Sequence, residues 1–298
     1  MHTEFIAGMP HLALGGLSEN WLLKECGHHH WQMLAERYGR RVPDFKEGED
    51  SAYAAFTAIR VTDLAPAAIG ENTAFSLDSQ LCVAGRARHF SRHQLKTNGE
   101  PCGTVEMLSA FVRRDRPASN HRVHRAQPSG VDGKTGPGSL ALAAARLLES
   151  NREFRSGDWQ RGSFRPASRR ILGEYPFLPC PGTDFNGAGF LYCASFQGMA
   201  ERAEWNWYRL APPAQTLSRE IHFFGNLDVG DAVVVRLCGE RREHRTLAHW
   251  SELARVSDGK TIAQVVTWKT WADLSHDTAT CLGHGTRTKA TQWAPQAL

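Results

Sequence analysis

The chain lacks most of the features that would assign a class at sight. No apolar run approaches the ~20 residues of a membrane-spanning helix in its 298 residues. The start, MHTEFIAGMPHL, has no basic stretch followed by a long apolar region. It does not read as a secretory signal, and the cytoplasm is the expected location. The seven cysteines (Cys26, Cys82, Cys102, Cys180, Cys193, Cys238, Cys281) are odd in number and form no CxxC pair. That excludes a disulfide framework and a zinc ribbon, and suits small buried apolar side chains. The charge is close to balanced, at +4. Arginines gather in residues 113–125 and 152–170, too diffusely for a nucleic-acid groove. They suit an acidic partner or a phosphate-bearing ligand. Neither nucleic acid nor membrane is expected as a partner. No metal is expected either: the triple His28-His29-His30 lies in a helical stretch. Side chains about 100° apart cannot all converge on one ion.

What is present reads as an alternation of helix and meander. Residues 17–39 form a first helix, with Ser18 as N-cap, Trp21, Leu22, Cys26, Trp31, Leu34 and Tyr38 as its stripe, and Gly39 just past its end. Residues 51–61 (SAYAAFTAIRV) are a strand. The polar–apolar alternation over 73–95, the turn Asn98-Gly99 and residues 102–113 continue as an antiparallel meander. Residues 114–138 are rich in Pro, Gly, Ser and charge and read as a linker or surface loop. A short Ala/Leu helix follows at 139–149, then a Pro-rich entry at 174–181.

The most informative stretch is 183–205, TDFNGAGFLYCASFQGMAERAEW. The cluster Asp184-Phe185-Asn186-Gly187 can cap a helix, and the apolar run after it has helical spacing to about Trp207. A helix apolar most of the way round and rich in small residues is buried, with other backbone close against it. Strands at 219–224, 231–238, 245–257 and 261–271 complete a second meander, with Asp258-Gly259 as a hairpin turn. The polar tail after Trp271 reads as loosely held.

Both halves thus run helix, then meander, and residues 91–112 with Asn98-Gly99 rhyme with 245–268 and Asp258-Gly259. An internal repeat of this kind implies an α+β tandem, or double, hot-dog fold. In it, curved antiparallel sheets each wrap a central helix, and the pair joins into one continuous sheet. The expected division is 1–138 for the first unit with its basic linker and 139–298 for the second.

Four segments carry a resemblance: MPHLALGGLSENWLLKECG, SAYAAFTAIRV, DFNGAGFLYCASFQGMAERAEW and REIHFFGNLDVGD. Over most of its length the chain resembles the double hot-dog acyltransferase/decarboxylase family of polyketide biosynthetic clusters, of leinamycin-pathway type. The resemblance implies that a malonyl- or methylmalonyl-type thioester of coenzyme A is decarboxylated. Its acyl group would pass to the phosphopantetheine arm of an acyl carrier protein, with no cofactor beyond the thioester itself. It also implies a catalytic tyrosine in the strand after the first helix, here Tyr53. Members carry more aromatics just after it, where this chain has Thr57, Ala58 and Ile59, so the acyl preference is open. Thioesterases of this fold place an acidic or amide residue before the central helix, a role that Asp184 and Asn186 match.

The residues support that chemistry independently. A thioester enzyme needs donors for the carbonyl oxygen or enolate, and a helix N-terminus supplies backbone amides. The candidates are Gly15-Gly16-Leu17, with Ser18, in the first half and Asn186-Gly187-Ala188 in the second. Tyr53 can donate a proton or accept an acyl group, and His11, His89 and His93 are candidate bases. Asn72 and Asn226 occupy corresponding places before strands; Asn72 is a candidate for substrate binding, and both can be turn residues only. Three readings stay open: a decarboxylating acyltransferase; a thioesterase or dehydratase of the same fold; and a non-catalytic module that binds an acyl carrier protein. The oligomeric state, a homodimer included, is also left open.

Overall fold

The computed structural model describes residues 1–47, 50–85, 87–116, 119–128, 138–209 and 214–271. The polar tail after residue 271, Cys281 included, lies outside them. Among the described residues one eleven-stranded sheet dominates: β1 (His2–Ile6), β2 (Tyr53–Thr62), β3 (Ala74–Ala84), β4 (Arg88–Thr97), β5 (Glu100–Arg114), β6 (Val123–Arg125), β7 (Gly173–Phe177), β8 (Gln215–Phe223), β9 (Val233–Glu243), β10 (Thr246–Arg255) and β11 (Thr261–Thr270). Three long helices accompany it: α1 (Glu19–Arg37), α2 (Gly138–Ser156) and α3 (Cys193–Tyr208).

The sheet order is β1-β3-β4-β5-β2-β8-β11-β10-β9-β7, with β6 added beside β5. Each half is therefore an edge strand, a helix and four strands, of which the first and last pair. The halves meet where β2 and β8 pair antiparallel, Ile59 opposite Ile221. The repeat holds residue by residue. A bulge between Phe56 and Ala58 on β2 has its counterpart between Thr216 and Ser218 on β8. The same shift carries Ala58–Leu108 onto Ser218–Trp268 and Asn98-Gly99 onto Asp258-Gly259. Asn98 and Gly99 both have positive φ, 51° and 80°, which a tight hairpin turn requires. This is the double hot-dog fold, with one continuous sheet.

One face of the sheet carries α1 and α3, which bury Leu22, Leu23 and Cys26, and Phe196, Met199 and Ala203, against Ile59, Val61, Val105, Ile221, Val235 and Val265. Ser18 caps α1 as its sequence indicates, accepting from the amide of Trp21 at 3.3 Å, and Gly39 follows the helix at φ +64°. The small residues of α3 allow the close approach they imply: Asn20 on α1 donates to the Ala194 carbonyl at 2.8 Å and to Gln197 at 3.2 Å. The opposite face carries α2, whose Leu140, Ala143, Ala144, Leu147 and Leu148 pack on Ala58, Cys82, Phe90 and Leu108. It is longer than the expected 139–149 and covers strands of the first half.

Three expectations are corrected. The central helix begins at Cys193, not near Asp184: residues 181–184 form a separate single turn, and 185–191 a tight loop closed by the Phe185–Leu191 bridge. The segment 114–138 is not simply a linker, because β6 lies within it and Asn120 is buried. Its residues 117–118 and 129–137 lie outside the described ones. The edge strands β1 and β7, which precede the helices, were not read from the sequence.

Candidate active site

A cavity of about 750 Å³ opens where the two halves meet. Its walls come from β2 (Tyr53, Phe56, Thr57), the middle of α1 (His28, Trp31) and the segment before β6 (Asn120, His121, Arg122). The 186–193 loop with the first residue of α3, and the end of β8 (Phe223), complete it. The lining is mostly apolar and aromatic, as a site for an organic ligand requires.

The loop is held open by side chains that spend their polar atoms on backbone. Asn186 accepts from the amides of Ala188 and Phe190 at 3.0 and 3.1 Å. Asn226 grips Leu191 from both sides, accepting from its amide at 2.8 Å and donating to its carbonyl at 3.1 Å. Asn120 donates to the carbonyls of Gly189 and Leu227 at 2.6 and 2.7 Å and accepts from Arg114 Nε at 2.8 Å. Arg114 also donates to the Ala188 carbonyl, and its guanidinium lies 4.0 Å from the Phe190 ring centre and 5.4 Å from that of Tyr53. Tyr53 packs edge-on against Phe190, with centroids 5.4 Å apart.

Free donors remain after these commitments. The Tyr53 hydroxyl makes no hydrogen bond to a described residue. Tyr192, the N-cap of α3, gives no side-chain cap, and Cys193, the first residue of the helix, brings its positive end to the cavity wall. Cys193 itself is no nucleophile: burial pushes its thiol up to about 12. Among the described lining residues there is no Asp or Glu.

The structure brings together Tyr53, Asn186, Gly187 and Ala188 of the candidate site residues named from sequence. The others lie elsewhere, in packing or turn roles. Asp184 accepts from the Cys180 amide at 2.8 Å and closes its own helical turn, while its carbonyl holds the Tyr192 amide. His11 accepts from the Gly8 amide at 2.9 Å and stands against Trp21, Phe5 and Phe75. Ser18 caps α1. Gly16, at φ +111°, is packed so closely that a Cβ would fall 2.2 Å from the Pro66 carbonyl oxygen, so Gly15-Gly16 is a closed turn with no opening for a ligand. Asn72 is a turn residue at φ 60°. Sequence reasoning missed His28, Asn120 and Phe223, and left Asn226 as a turn residue. The paired positions of Asn72 and Asn226 were a signal that one of them does more.

His89 and His93 are not bases for the cavity. With His29 and His30 they form a buried chain: Ser109, His30, Ser91, His93, Ser79 and His29, linked at 2.7 to 2.9 Å, beside which His89 meets the Tyr38 hydroxyl at 3.4 Å. Burial lowers His30 to about 3 and His89 to about 4, so both stay neutral. The three consecutive histidines do diverge: His28 faces the cavity while His29 and His30 enter the chain. His121, Asp228 and Asp231 bring ligand-type atoms within 4.8 Å of one another. Those atoms already clamp the loop, since Asp228 accepts from Ser119 Oγ and the Asn120 amide, and Asp231 from His121 and the Asp228 amide.

The counterpart of this cavity in the other half is filled by side chains. There the N-terminus of α1, the start of β8 and the end of α3 enclose Arg219, whose side chain is wholly inaccessible. It donates to Glu19, Glu204 and Glu201 at 2.8, 2.7 and 2.7 Å. Lys269 adds contacts of 2.6 Å to Glu201 and 2.5 Å to Glu204. The two halves are alike in backbone and opposite in content: one open and apolar, one filled with paired charge.

No protein-family model and no curated protein matches this sequence. Solved structures do match in shape. An acyl-ACP thioesterase from Bacteroides thetaiotaomicron superposes with a TM-score of 0.60 at 9% identity, over 90% of this chain and 97% of that one. A protein described as an oleoyl thioesterase from Lactobacillus plantarum gives 0.63 at 8%, over 91% and 96%. The 12:0-ACP thioesterase from Umbellularia californica gives 0.62 at 8%, over 91% and 97%. At such identities the likeness establishes the fold. Among the described residues no helix is long and apolar enough to cross a membrane.

Proposed function

We propose that the protein is an enzyme acting on acyl thioesters of coenzyme A or of an acyl carrier protein. The acyl group enters the cavity, and the carbonyl oxygen lies toward the positive N-terminal end of α3 at Cys193. The observation that carries this reading is the uncapped N-terminus of α3 at the wall of an apolar cavity of about 750 Å³. Charge developing on the oxygen is stabilised there by donors fixed before the substrate arrives. Hydrolysis is the reaction in keeping with the thioesterases that share the fold. In this reading water attacks the carbonyl carbon, the carbon–sulfur bond breaks, and His28 takes the proton that passes on to the leaving thiolate.

A specific observation favours a second reading, decarboxylation with transfer to a carrier protein. No carboxylate lines the described cavity, and a malonyl-type substrate brings its own, which neighbouring Asp or Glu would repel. An apolar pocket disfavours that carboxylate and promotes CO2 loss. The bond from the carboxylate carbon to the α-carbon breaks, and its electron pair moves onto the thioester as an enolate held at the N-terminus of α3. The free Tyr53 hydroxyl then protonates the α-carbon and is reprotonated by solvent. The carrier's thiol next attacks the carbonyl and coenzyme A leaves.

The test is mass spectrometry of a holo acyl carrier protein incubated with this protein and a panel of acyl-CoA thioesters, malonyl- and methylmalonyl-CoA among them. Free acid with a bare carrier supports hydrolysis. A carrier gaining acetyl or propionyl, and losing that gain in Tyr53→Phe, supports decarboxylating transfer. A panel left unchanged removes the enzyme reading and leaves a carrier-binding module.

A further inference from the structure

Around one side of the cavity the chain gathers arginines that make few ion pairs with its described carboxylates. Arg122 and Arg155 line the cavity. Arg155 is positioned by neutral groups, donating to the Phe223 carbonyl at 2.8 Å and to Asn151 at 3.3 Å. Arg125 ends β6, opposite Val112 of the cavity wall. Arg88 begins β4 and lines a crevice with Ala126, the residue after Arg125. Its Nε is buried with no hydrogen-bond partner. The hairpin before Arg88 rests on α2, where Gly85 meets Leu148, one turn ahead of Arg152 and two ahead of Arg155. Of these side chains only Arg152 is in an ion pair with a described carboxylate, an exposed one with Glu149 at 3.0 Å. Burial lowers the affinity of Arg88 and Arg155 for their protons, and Arg125 lowers both further. Arg125 therefore lies close enough to Arg88 and Arg155 for their like charges to oppose one another.

Clustered like charge opposes folding unless an anion joins it. Guanidinium forks match phosphate oxygens in pairs. A cavity of about 750 Å³ has room for an acyl chain and its thiol arm. We infer that Arg88, Arg122, Arg125 and Arg155 form a rim that binds the nucleotide phosphates of coenzyme A while the acyl-thioester end lies in the cavity. This rests on the proposed thioester activity and adds its handle: a compact set of cations suits the several phosphates of coenzyme A better than the single phosphate of a carrier's arm.

The test compares binding of coenzyme A with binding of pantetheine, the same thiol arm without the nucleotide, by calorimetry on the full chain. The wild type is expected to bind coenzyme A at least tenfold more tightly, with a gap that shrinks as salt rises. In Arg122→Glu/Arg125→Glu, both exposed positions, the gap is expected to collapse. Arg155→Gln, which keeps a donor and removes the charge, is expected to narrow it. Equal affinities in the wild type, or a gap kept by the charge-reversed pair, overturn the rim. A charge-reversed pair that loses a holo carrier protein but keeps the coenzyme A gap also overturns it, because the rim then serves a macromolecule. Neither probe is turned over, so the two proposals separate. Acyl-CoA consumed without a coenzyme A gap refutes the rim alone, and a gap without consumption of any thioester refutes the enzyme alone.

Discussion

Replacing Arg219 by methionine is the sharpest probe of why one half of the molecule is open and the other filled. The five guanidinium protons meet Glu19, Glu201, Glu204, Thr216 and Thr267, all within 3.3 Å. Burial opposes a charge on Glu204, but Arg219 and Lys269 overcome it and hold its carboxyl well below the usual range. With Arg219 gone, the three glutamates keep only Lys269, His249 and the Thr216 hydroxyl, which donates to Glu19 at 2.9 Å, and the Thr267 hydroxyl loses the guanidinium. Breaking a buried ion pair from one side costs about 3–5 kcal/mol. Unfolding entropy for a chain of this size converts each kcal/mol to about 2 °C in melting temperature, so Arg219→Met is expected to melt about 5–10 °C below the wild type. Adding Glu204→Gln removes one stranded charge and is expected to recover at least about 1 kcal/mol, because contacting groups do not add. Differential scanning calorimetry of the wild type, the two single variants and the double variant measures both effects. An Arg219→Met protein that melts within about 1 °C of the wild type, or a double variant that falls by the sum of the separate losses, would refute the view that this network fills and holds the second site.

Three other outcomes follow from the same geometry. Tyr53→Phe should retain the fold, since the hydroxyl bonds to no described residue, and if the hydroxyl donates a proton in the reaction it should lose about 100-fold or more in kcat; an unchanged rate removes Tyr53 from the chemistry. Asn120→Ala strands Arg114 and two buried carbonyls, and should lower stability by about 1–3 kcal/mol and raise KM; urea unfolding and steady-state kinetics check both, and an unaffected KM would detach the 186–191 loop from the substrate. Acid should destabilise the protein above the carboxylate range. Folded His30 and His89 protonate only near 3 and 4, while unfolded histidine takes up its proton near 6.5. Their contribution is whole above pH 6.5 and is lost as pH falls toward 4, by up to about 1.4 kcal/mol per pH unit for each; identical urea midpoints at pH 7 and pH 5 would contradict it.

Local signals were legible where side chains answer to their own neighbours. Ser18 and Gly39 mark the ends of α1, and Asn98-Gly99 and Asp258-Gly259 mark the matching hairpins that disclose the repeat. The start of α3 was not legible: Gly187 to Tyr192 has the apolar spacing of a helix, yet Asn226, distant in sequence, holds the Leu191 amide and carbonyl in a loop. The strands β1 and β7 have five residues each and exist only by pairing with β3 and β9. Residues 119–125 read as a connector because their composition is polar, and the atoms that Asn120 buries are polar as well, so no hydrophobic pattern announced them. Tyr53 and Asn186, to which a family resemblance and a turn motif drew attention, line the cavity; Asp184 and His11, also named from the sequence, do not.

The repeat also explains why the site needs both halves. The first half contributes β2 and the middle of α1, the walls that hold Tyr53, Phe56, His28 and Trp31. The second half contributes the N-terminus of α3 and Asn226, which carries no chemistry of its own but fixes the chain that enters that helix. In a symmetric pair each helix N-terminus would face a wall of the other half, giving two cavities. Here the wall facing α1 holds Arg219 and Lys269 against Glu19, Glu201 and Glu204. One N-terminus is therefore consumed by structure and one is left for a ligand. A chain cut between the halves would separate Tyr53 from the N-terminus of α3, so neither piece alone would present the arrangement on which the proposed thioester chemistry rests.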